Sequence, residues 1–254
     1  MRFKVNIRRE IKIAIAVVVF FGIIAFTERM QGTVSVKEVV VKIENIENNH
    51  FIDEEDVLDL MQVSDENLRG ASIGQLNLKE IEGRIKSDAF VKNAELYADI
   101  KGNLVVNVEL RRPIARIVRS YGPSVYIAED GTVMPVSEKF SARTLLISGA
   151  QANQIMHEEN ILDSEGGISL FYMINLIRKD EFWKAQIAQV DVASINKITL
   201  YPQIGGQLIE FGKLENIDVK FSKLKVFYKE ILPQKGWNTY SRVNLEYDGQ
   251  IVTE

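Results

Sequence analysis

Apolar side chains recur every second residue in some segments of this chain and every third or fourth residue in others. The first period is typical of a half-buried strand, and the second is typical of an amphipathic helix. The segment from Ser35 to about Ile46 alternates and is rich in valine and isoleucine, which predicts a strand. Two predicted helices follow, one beginning after Asp53 as N-cap and the other after Asn77, with Glu80 at the capping-box position.

A predicted hairpin completes this first group of elements. Its turn is expected at residues 101–103, and its second strand alternates strictly between apolar and polar positions. The side chains expected to face inward are Leu104, Val106, Val108 and Leu110. The element order is therefore β-α-α-β-β, and we expect residues 35–112 to form one domain.

After this domain the pattern changes to short strands separated by turn signals such as Asp130-Gly131 and Gly205-Gly206. Two helices interrupt the strands, since apolar residues there repeat at helical spacing. The helix positions are Leu170, Ile174 and Ile177, and then Ile217, Phe221, Leu224, Tyr228 and Ile231, before Pro233 and Gly236 stop the second helix. We expect residues 113–254 to form a mostly antiparallel sheet with helices on one face, which makes the fold class α+β.

The last fifteen residues predict a hairpin. Val243, Leu245 and Tyr247 alternate with polar residues, and Asp248-Gly249 is the strongest two-residue hairpin signal. The last strand is expected to comprise Gln250, Ile251, Val252 and Thr253. Nothing follows this strand in the sequence given, so we expect its outer backbone groups to lie on a sheet edge, where a partner strand can add.

The N-terminal segment predicts a membrane anchor. Residues 1–10 are basic, and residues 11–27 are apolar enough for a short transmembrane helix. The excess of positive charge before the span places the N-terminus in the cytoplasm and the rest outside. A cleaved signal peptide is the alternative, although no clear A-x-A cleavage site follows the apolar run.

Composition narrows the function further. Among 254 residues there is no cysteine, which excludes a disulfide scaffold, a cysteine-ligated metal site and a cysteine nucleophile. Without residues 1–26, the chain has 26 basic and 34 acidic side chains, a net charge of −8. Such a surface repels phosphate backbones, so nucleic acid is not an expected partner.

The sequence provides few candidates for catalysis. His50 and His157 both lie in polar, loop-like sequence without the spacing of a catalytic triad or a zinc motif. Residues 53–56 are all acidic, but helix capping explains them better than a metal ion does. Glu158, Glu159 and Glu165 show no sign of burial, and Phe171, Tyr172, Phe182 and Trp183 are typical of helix packing rather than of a sugar-binding platform. We therefore expect no enzyme activity, no cofactor and no metal site.

Several segments carry a resemblance to a known family. They are residues 111–117 (RRPIARI), 126–137 (YIAEDGTVMPVS), 212–231 (GKLENIDVKFSKLKVFYKEI) and 241–252 (SRVNLEYDGQIV). Together with the order of parts, these segments resemble the FtsQ/DivIB family of bacterial cell-division proteins, and residues 35–112 resemble a POTRA domain. The resemblance covers essentially the whole chain, although the family offers no counterpart for the acidic segment 151–167.

The resemblance implies a non-enzymatic, single-pass scaffold of the inner membrane with its C-terminal domains in the periplasm at the division septum. Its implied partners are FtsB- and FtsL-type proteins, bound by strand addition to the closing hairpin, and its implied role is in septal peptidoglycan synthesis. Tyr247 corresponds to a tyrosine of the family's closing strand. Two other readings remain open: a POTRA-type envelope chaperone or secretion adaptor, and an anchored peptidoglycan-binding module.

Overall fold

The structure is a computed structural model that describes residues 11, 15–22, 35–46, 49–62, 68–119 and 121–254. The predicted cytoplasmic tail, residues 1–10, lies outside the described residues. Of the predicted span, residue 11 and residues 15–22 are described, and they are helical and exposed. No helix within the described ranges is both long and apolar enough to cross a membrane.

The described chain divides into two compact units. The first comprises the described residues up to Glu44 together with Ile52–Leu110, and the second comprises Asn45–Phe51 and Arg111–Glu254. The elements of the first unit are β1 (Val39–Glu44), α1 (Glu54–Met61), a 3-10 turn (Ile73–Gln75), α2 (Leu78–Lys86), β2 (Val91–Ala98) and β3 (Leu104–Leu110). This is the predicted β-α-α-β-β order.

Helices α1 and α2 begin at the predicted caps. The Asp53 carboxylate accepts a hydrogen bond from the Asp56 backbone N–H at 3.0 Å, and the Asp56 carboxylate accepts one from the Asp53 N–H at 2.9 Å. The Asn77 side chain accepts from the Glu80 N–H at 3.4 Å. Capping therefore uses the acidic run 53–56, as its sequence indicates.

The first unit has a three-stranded sheet in the order β1-β3-β2. β1 runs parallel to β3, and β2 runs antiparallel to it. All four predicted inward positions of β3 are buried, and they pack with Val57 and Met61 of α1 and with Ile81 and Ile85 of α2. The unit thus has a core of its own.

The second unit is larger. Its strands are β4 (Pro113–Ile117), β5 (Val125–Ala128), β6 (Val133–Pro135), β7 (Leu145–Ser148), β8 (Ile187–Ser194), β9 (Lys197–Pro202), β10 (Leu208–Gly212), β11 (Arg242–Asn244) and β12 (Val252–Thr253). Its helices are α3 (Ala150–Ile155), a 3-10 turn (Ile161–Asp163), α4 (Glu165–Lys179), α5 (Glu181–Gln186), α6 (Ile217–Val226), a π-helix (Phe227–Ile231) and α7 (Leu232–Lys235).

These nine strands form one sheet in the order β12-β11-β10-β9-β8-β7-β4-β5-β6. Five neighbouring pairs are antiparallel, but β4/β7, β7/β8 and β10/β11 are parallel. The sheet is therefore mixed, and the second unit has more helices than the two expected. The difference arises because α3, α4 and α5 connect β7 to β8, and a parallel neighbour requires such a crossover.

The core of the second unit lies between one face of this sheet and the helices. Val190, Leu200, Ile209 and Val243 are fully buried and lie on neighbouring strands in register. They form one cluster with Leu170 and Ile174 of α4 and with Phe221 and Leu224 of α6. Residues of the opposite face, such as Thr199, Glu210 and Asn244, are only half-buried.

The last helical segment ends at Gly236, one of the two predicted stop residues, and not at Pro233. Pro233 was expected to stop it, but the chain continues through a π-helical turn into α7, where Pro233 occupies a first-turn position. A proline is tolerated there because a first-turn N–H has no helical partner. Gly236, with φ 101°, then ends the helix.

Candidate partner-binding edge

The closing segment forms one edge of the nine-stranded sheet. β11 lies parallel to β10, with Val243 opposite Ile209. β12 folds back antiparallel to β11, with Thr253 opposite Val243 and Val252 opposite Asn244. Since β12 is the first strand in the sheet order, no described strand pairs with its outer side.

The turn between these two strands is wider than predicted. Residues 245–251, called the closing loop below, connect β11 to β12, and Asp248 and Gly249 lie in the turn at its tip. Gly249 has φ 72°, which glycine adopts without strain. The prediction of a tight two-residue hairpin was wrong because the Asn244 side chain accepts a hydrogen bond from the Glu246 N–H at 2.8 Å and bends the chain there.

The predicted site residues differ in their exposure. Val243 and Leu245 are fully buried in the core, Ile251 and Thr253 are half-buried, and Tyr247, Gln250 and Val252 are exposed. Tyr247 is 52% exposed, so its ring is available to another molecule. Val243 and Leu245 therefore fix the edge to the core, and the other five predicted site residues are at least partly accessible on it.

The hydrogen-bond register shows which backbone groups face outward. Arg242 and Glu254 exchange two hydrogen bonds, with N···O distances of 3.2 and 3.1 Å. Hydrogen-bonded and non-bonded pairs alternate along an antiparallel ladder, so Asn244 and Val252 form the next bonded pair. The N–H and C=O groups of Thr253 therefore point away from β11, toward the open side of the edge.

Polar side chains fix β11 on the half-buried face of the sheet. Glu210 accepts hydrogen bonds from Arg242 and, at 2.9 Å, from the Asn244 side chain. Arg242 also lies 3.5 Å from the Glu254 carboxylate. The Leu245 N–H donates to the Glu210 carbonyl at 2.9 Å, which extends the contact with β10 beyond β11 itself.

Sequence reasoning missed two lysines that support this edge from α6. Lys220 is 8% exposed, and its ammonium donates to the Phe211 and Lys213 carbonyls at 2.8 Å each. Burial lowers the pKa of Lys220. Lys223, one turn later, donates to carbonyls of the closing loop. The only sequence signal was a lysine directly before each of Phe221 and Leu224 in the apolar stripe, and a solvated helix face has the same pattern.

The candidates for catalysis do not converge. His50 and His157 are both exposed, and the His50 ring packs edge-on against Phe140 at 5.6 Å. Within the described residues, no group of three or more histidine, aspartate or glutamate side chains could hold a metal ion. Gly205-Gly206 lies in the turn between antiparallel β9 and β10, as predicted.

The aromatic residues of α4 and α5 mainly pack against helices. Trp183 is buried and contacts Phe182, Phe221 and Tyr228 edge-on, with ring centroids 4.8 to 6.2 Å apart. Tyr172 lies on the surface, where its hydroxyl donates to the Asp218 carboxylate of α6 at 2.8 Å. This hydrogen bond raises the pKa of Tyr172.

A cavity of about 790 Å³ lies in the second unit where β4, β7 and β8 begin. Its charged lining residues are Arg143, Arg178, Glu181 and Lys184. Arg178 pairs with Glu129 at 2.8 Å, and Lys184 lies 3.5 Å from Glu181. Neither histidine lines this cavity.

Comparison with known proteins covers both units. The family described as FtsQ/DivIB, C-terminal related, matches residues 112–254, and the POTRA-like domain matches residues 35–109. The cell division protein FtsQ of Syntrophotalea carbinolica is 23% identical over 201 residues, 79% of this chain and 69% of that protein. The cell division protein DivIB of Clostridium tetani is 26% identical over 190 residues, 72% of this chain and 67% of that protein.

These matches confirm the family that the four sequence segments suggested. The first family match covers more than half of the chain, and it includes β11, β12 and the closing loop. The chain belongs to the FtsQ/DivIB family of cell-division proteins.

Proposed function

We propose that this chain is a non-enzymatic scaffold of the division machinery that binds FtsB- and FtsL-type partners by strand addition to β12. The observation that carries the proposal is the open edge, where the N–H and C=O of Thr253 point away from β11. Each main-chain hydrogen bond to an added strand would contribute about 0.5 to 1.5 kcal/mol net. The exposed side chains of Tyr247, Gln250 and Val252 would add contacts that select the partner.

The proposal extends to the role of the complex. By holding such partners at the septum, the chain would coordinate septal peptidoglycan synthesis without catalysing it. The names of the two curated relatives support a role in division. The buried core of the first unit supports a further proposal, that residues 35–112 form an independent POTRA-like domain, followed in the sequence by a domain of residues 113–254.

Proline substitution at neighbouring positions of β12 tests strand addition. Thr253→Pro removes an outward N–H and leaves the β11–β12 ladder intact, whereas Val252→Pro removes a ladder bond. We expect the T253P variant to keep the wild-type melting temperature and to lose binding to the soluble part of the FtsB-type protein of the same genome. The V252P variant should lose both the ordered edge and binding.

Thr253→Ala is the matched control, because it removes the same side chain and keeps the N–H. We expect it to bind with wild-type affinity in isothermal titration. If the T253P variant is folded and binds as tightly as the T253A variant, the partner site lies elsewhere on the chain.

We also propose that residues 11–27 anchor the protein in the inner membrane, with residues 1–10 in the cytoplasm. The basic residues before the apolar run support this topology. A reporter fused after Glu254 should then be active only outside the cytoplasm, and the protein should stay in the membrane pellet after an alkaline wash. A soluble, shortened product would instead indicate cleavage of a signal peptide.

A further inference from the structure

Lys223 of α6 contacts the closing loop at three separate carbonyls. Its ammonium lies 2.8 Å from the Tyr247 oxygen and 3.4 Å from the oxygens of Leu245 and Gln250. An ammonium group has three donors and no acceptor, so these three carbonyls match its full capacity. The carbonyls come from both sides of the Asp248-Gly249 turn, so one side chain connects the two arms of the loop.

The hydrogen bonds of the Leu245 and Glu246 N–H groups fix only the start of the closing loop, and burial does little to fix the rest. Only Leu245 is fully buried, Ile251 is half-buried, and residues 246–250 are exposed. β12 pairs with β11 through two residues, and Glu254, which follows β12, adds backbone hydrogen bonds to Ser241 and Arg242. Because this ladder is short, a charge-assisted contact within the loop adds substantially to the hydrogen bonds that hold β12 in register.

Lys223 is itself fixed relative to the sheet. Lys220, one turn earlier on α6, is buried and donates to the Phe211 and Lys213 carbonyls at the end of β10. Phe221 and Leu224, on either side of Lys223 in sequence, belong to the core of the second unit. The helix therefore places the Lys223 ammonium at a defined height above the sheet edge.

From this geometry we propose that Lys223 is a positioning residue for partner binding: it shapes the closing loop so that Tyr247 faces outward and β12 is ready to accept a strand. The inference rests on the proposed function of the β12 edge. A preorganised edge binds more tightly because the cost of ordering the loop is met before the partner arrives. Lys223 need not touch the partner to have this effect.

The test compares Lys223→Met with Lys229→Met in the full-length protein. Both changes remove one ammonium from the same helical segment, but Lys229 is exposed and lies over the Phe182 ring rather than at the loop. We expect the K223M variant to bind the FtsB-type fragment at least tenfold more weakly, with a melting temperature within a few degrees of wild type. The K229M variant should bind like wild type.

Hydrogen exchange of residues 246–254 in the free protein supplies a readout that needs no partner. In the K223M variant these amides should exchange faster, whereas those of β8 and β9 should not change. Lys223→Arg keeps the charge and the donors, and it should restore most of the affinity. If the K223M variant does not fold, Lys223→Gln takes its place, with the same expected direction.

Two results would overturn the positioning role. In the first, the K223M variant binds with wild-type affinity although the T253P variant does not bind, so β12 is the site but Lys223 does not prepare it. In the second, exchange of residues 246–254 is the same in the K223M variant and in wild type. Failure of the proposed function itself gives a different result, because the T253P variant then binds normally.

Discussion

At the scale of single residues, the polar side chains that support the candidate edge bind carbonyl oxygens or the side chains of neighbouring strands. Lys220 and Lys223 end on carbonyl oxygens, and Glu210 joins the side chains of β11 to β10. Sequence periodicity identified the apolar neighbours of these residues correctly. It could not identify the bonds, because a lysine that snorkels to solvent and a lysine that binds a carbonyl occupy the same positions in a helical pattern.

Tyr228 permits a prediction about pH. It is 2% exposed, lies against Trp183 and Trp237, and burial raises its pKa to about 12. In the unfolded chain a tyrosine has a pKa of about 10. The folded protein therefore binds the proton of Tyr228 more tightly than the unfolded chain does. The stability that this tighter binding contributes is complete below pH 10 and is lost as the pH rises toward 12.

The two pKa values differ by about two pH units, which corresponds to about 3 kcal/mol of unfolding free energy. Tyr228→Phe removes the ionisable group. We therefore expect the unfolding free energy of the wild type to fall relative to that of the Y228F variant as the pH rises from 9.5 to 11.5. Urea unfolding at four pH values in this range measures the difference. Tyr121→Phe, at a ring that is 90% exposed, is the control. A difference independent of pH would show that Tyr228 has the same pKa in the folded and unfolded states.

At the scale of elements, the sequence predicted which residues form strands and helices better than it predicted which strands are neighbours. Alternation identified the buried face of β3 because burial on one face imposes period two. It contains no information about the partner strand, so the parallel pairs of β4 with β7 and of β7 with β8 were not predicted. The β7–β8 pair depends on a crossover through α3, α4 and α5, and the β4–β7 pair depends on a connection that passes through β5 and β6, so both are tertiary properties.

Gly149 is critical to that crossover. It lies between β7 and α3 with φ 106° and ψ 165°, a conformation that is essentially restricted to glycine. A Cβ at this position would lie 2.3 Å from the Val192 carbonyl oxygen of β8. We expect Gly149→Ala to lower the unfolding free energy by at least about 2 kcal/mol, measured by urea unfolding.

Gly206 provides the comparison for this prediction. A Cβ there would meet no atom within 4 Å, so Gly206→Ala should change the stability by less than about 0.5 kcal/mol. Equal effects of the two substitutions would mean that the close approach of β7 and β8 at Gly149 relaxes without cost.

At the scale of the whole molecule, the acidic character of the chain belongs to one part of it. Residues 27–110 include 9 basic and 17 acidic side chains, whereas residues 111–254 include 17 of each. The net negative charge of residues 27–254 therefore comes from the POTRA-like part of the sequence. The second unit, which presents the candidate edge, has balanced charge, so long-range electrostatic attraction is a weak source of its selectivity for a partner.

The separate cores of the two units lead to the last prediction, that each unit unfolds on its own. Both tryptophans, Trp183 and Trp237, lie in the second unit, so tryptophan fluorescence reports on that unit alone, whereas far-UV circular dichroism reports on both. Ile85 is fully buried in the first core, and Ile85→Ala should cost about 2 to 5 kcal/mol there. In a fragment of residues 35–254 we expect this change to lower the urea midpoint of part of the dichroism signal and to leave the fluorescence midpoint unchanged.

Lys79→Ala, at an exposed position of α2, should move neither signal. A fluorescence midpoint that falls with Ile85→Ala would mean that the two cores unfold as one cooperative unit, and a loss well below 1 kcal/mol would mean that the buried face of α2 contributes little to the first core.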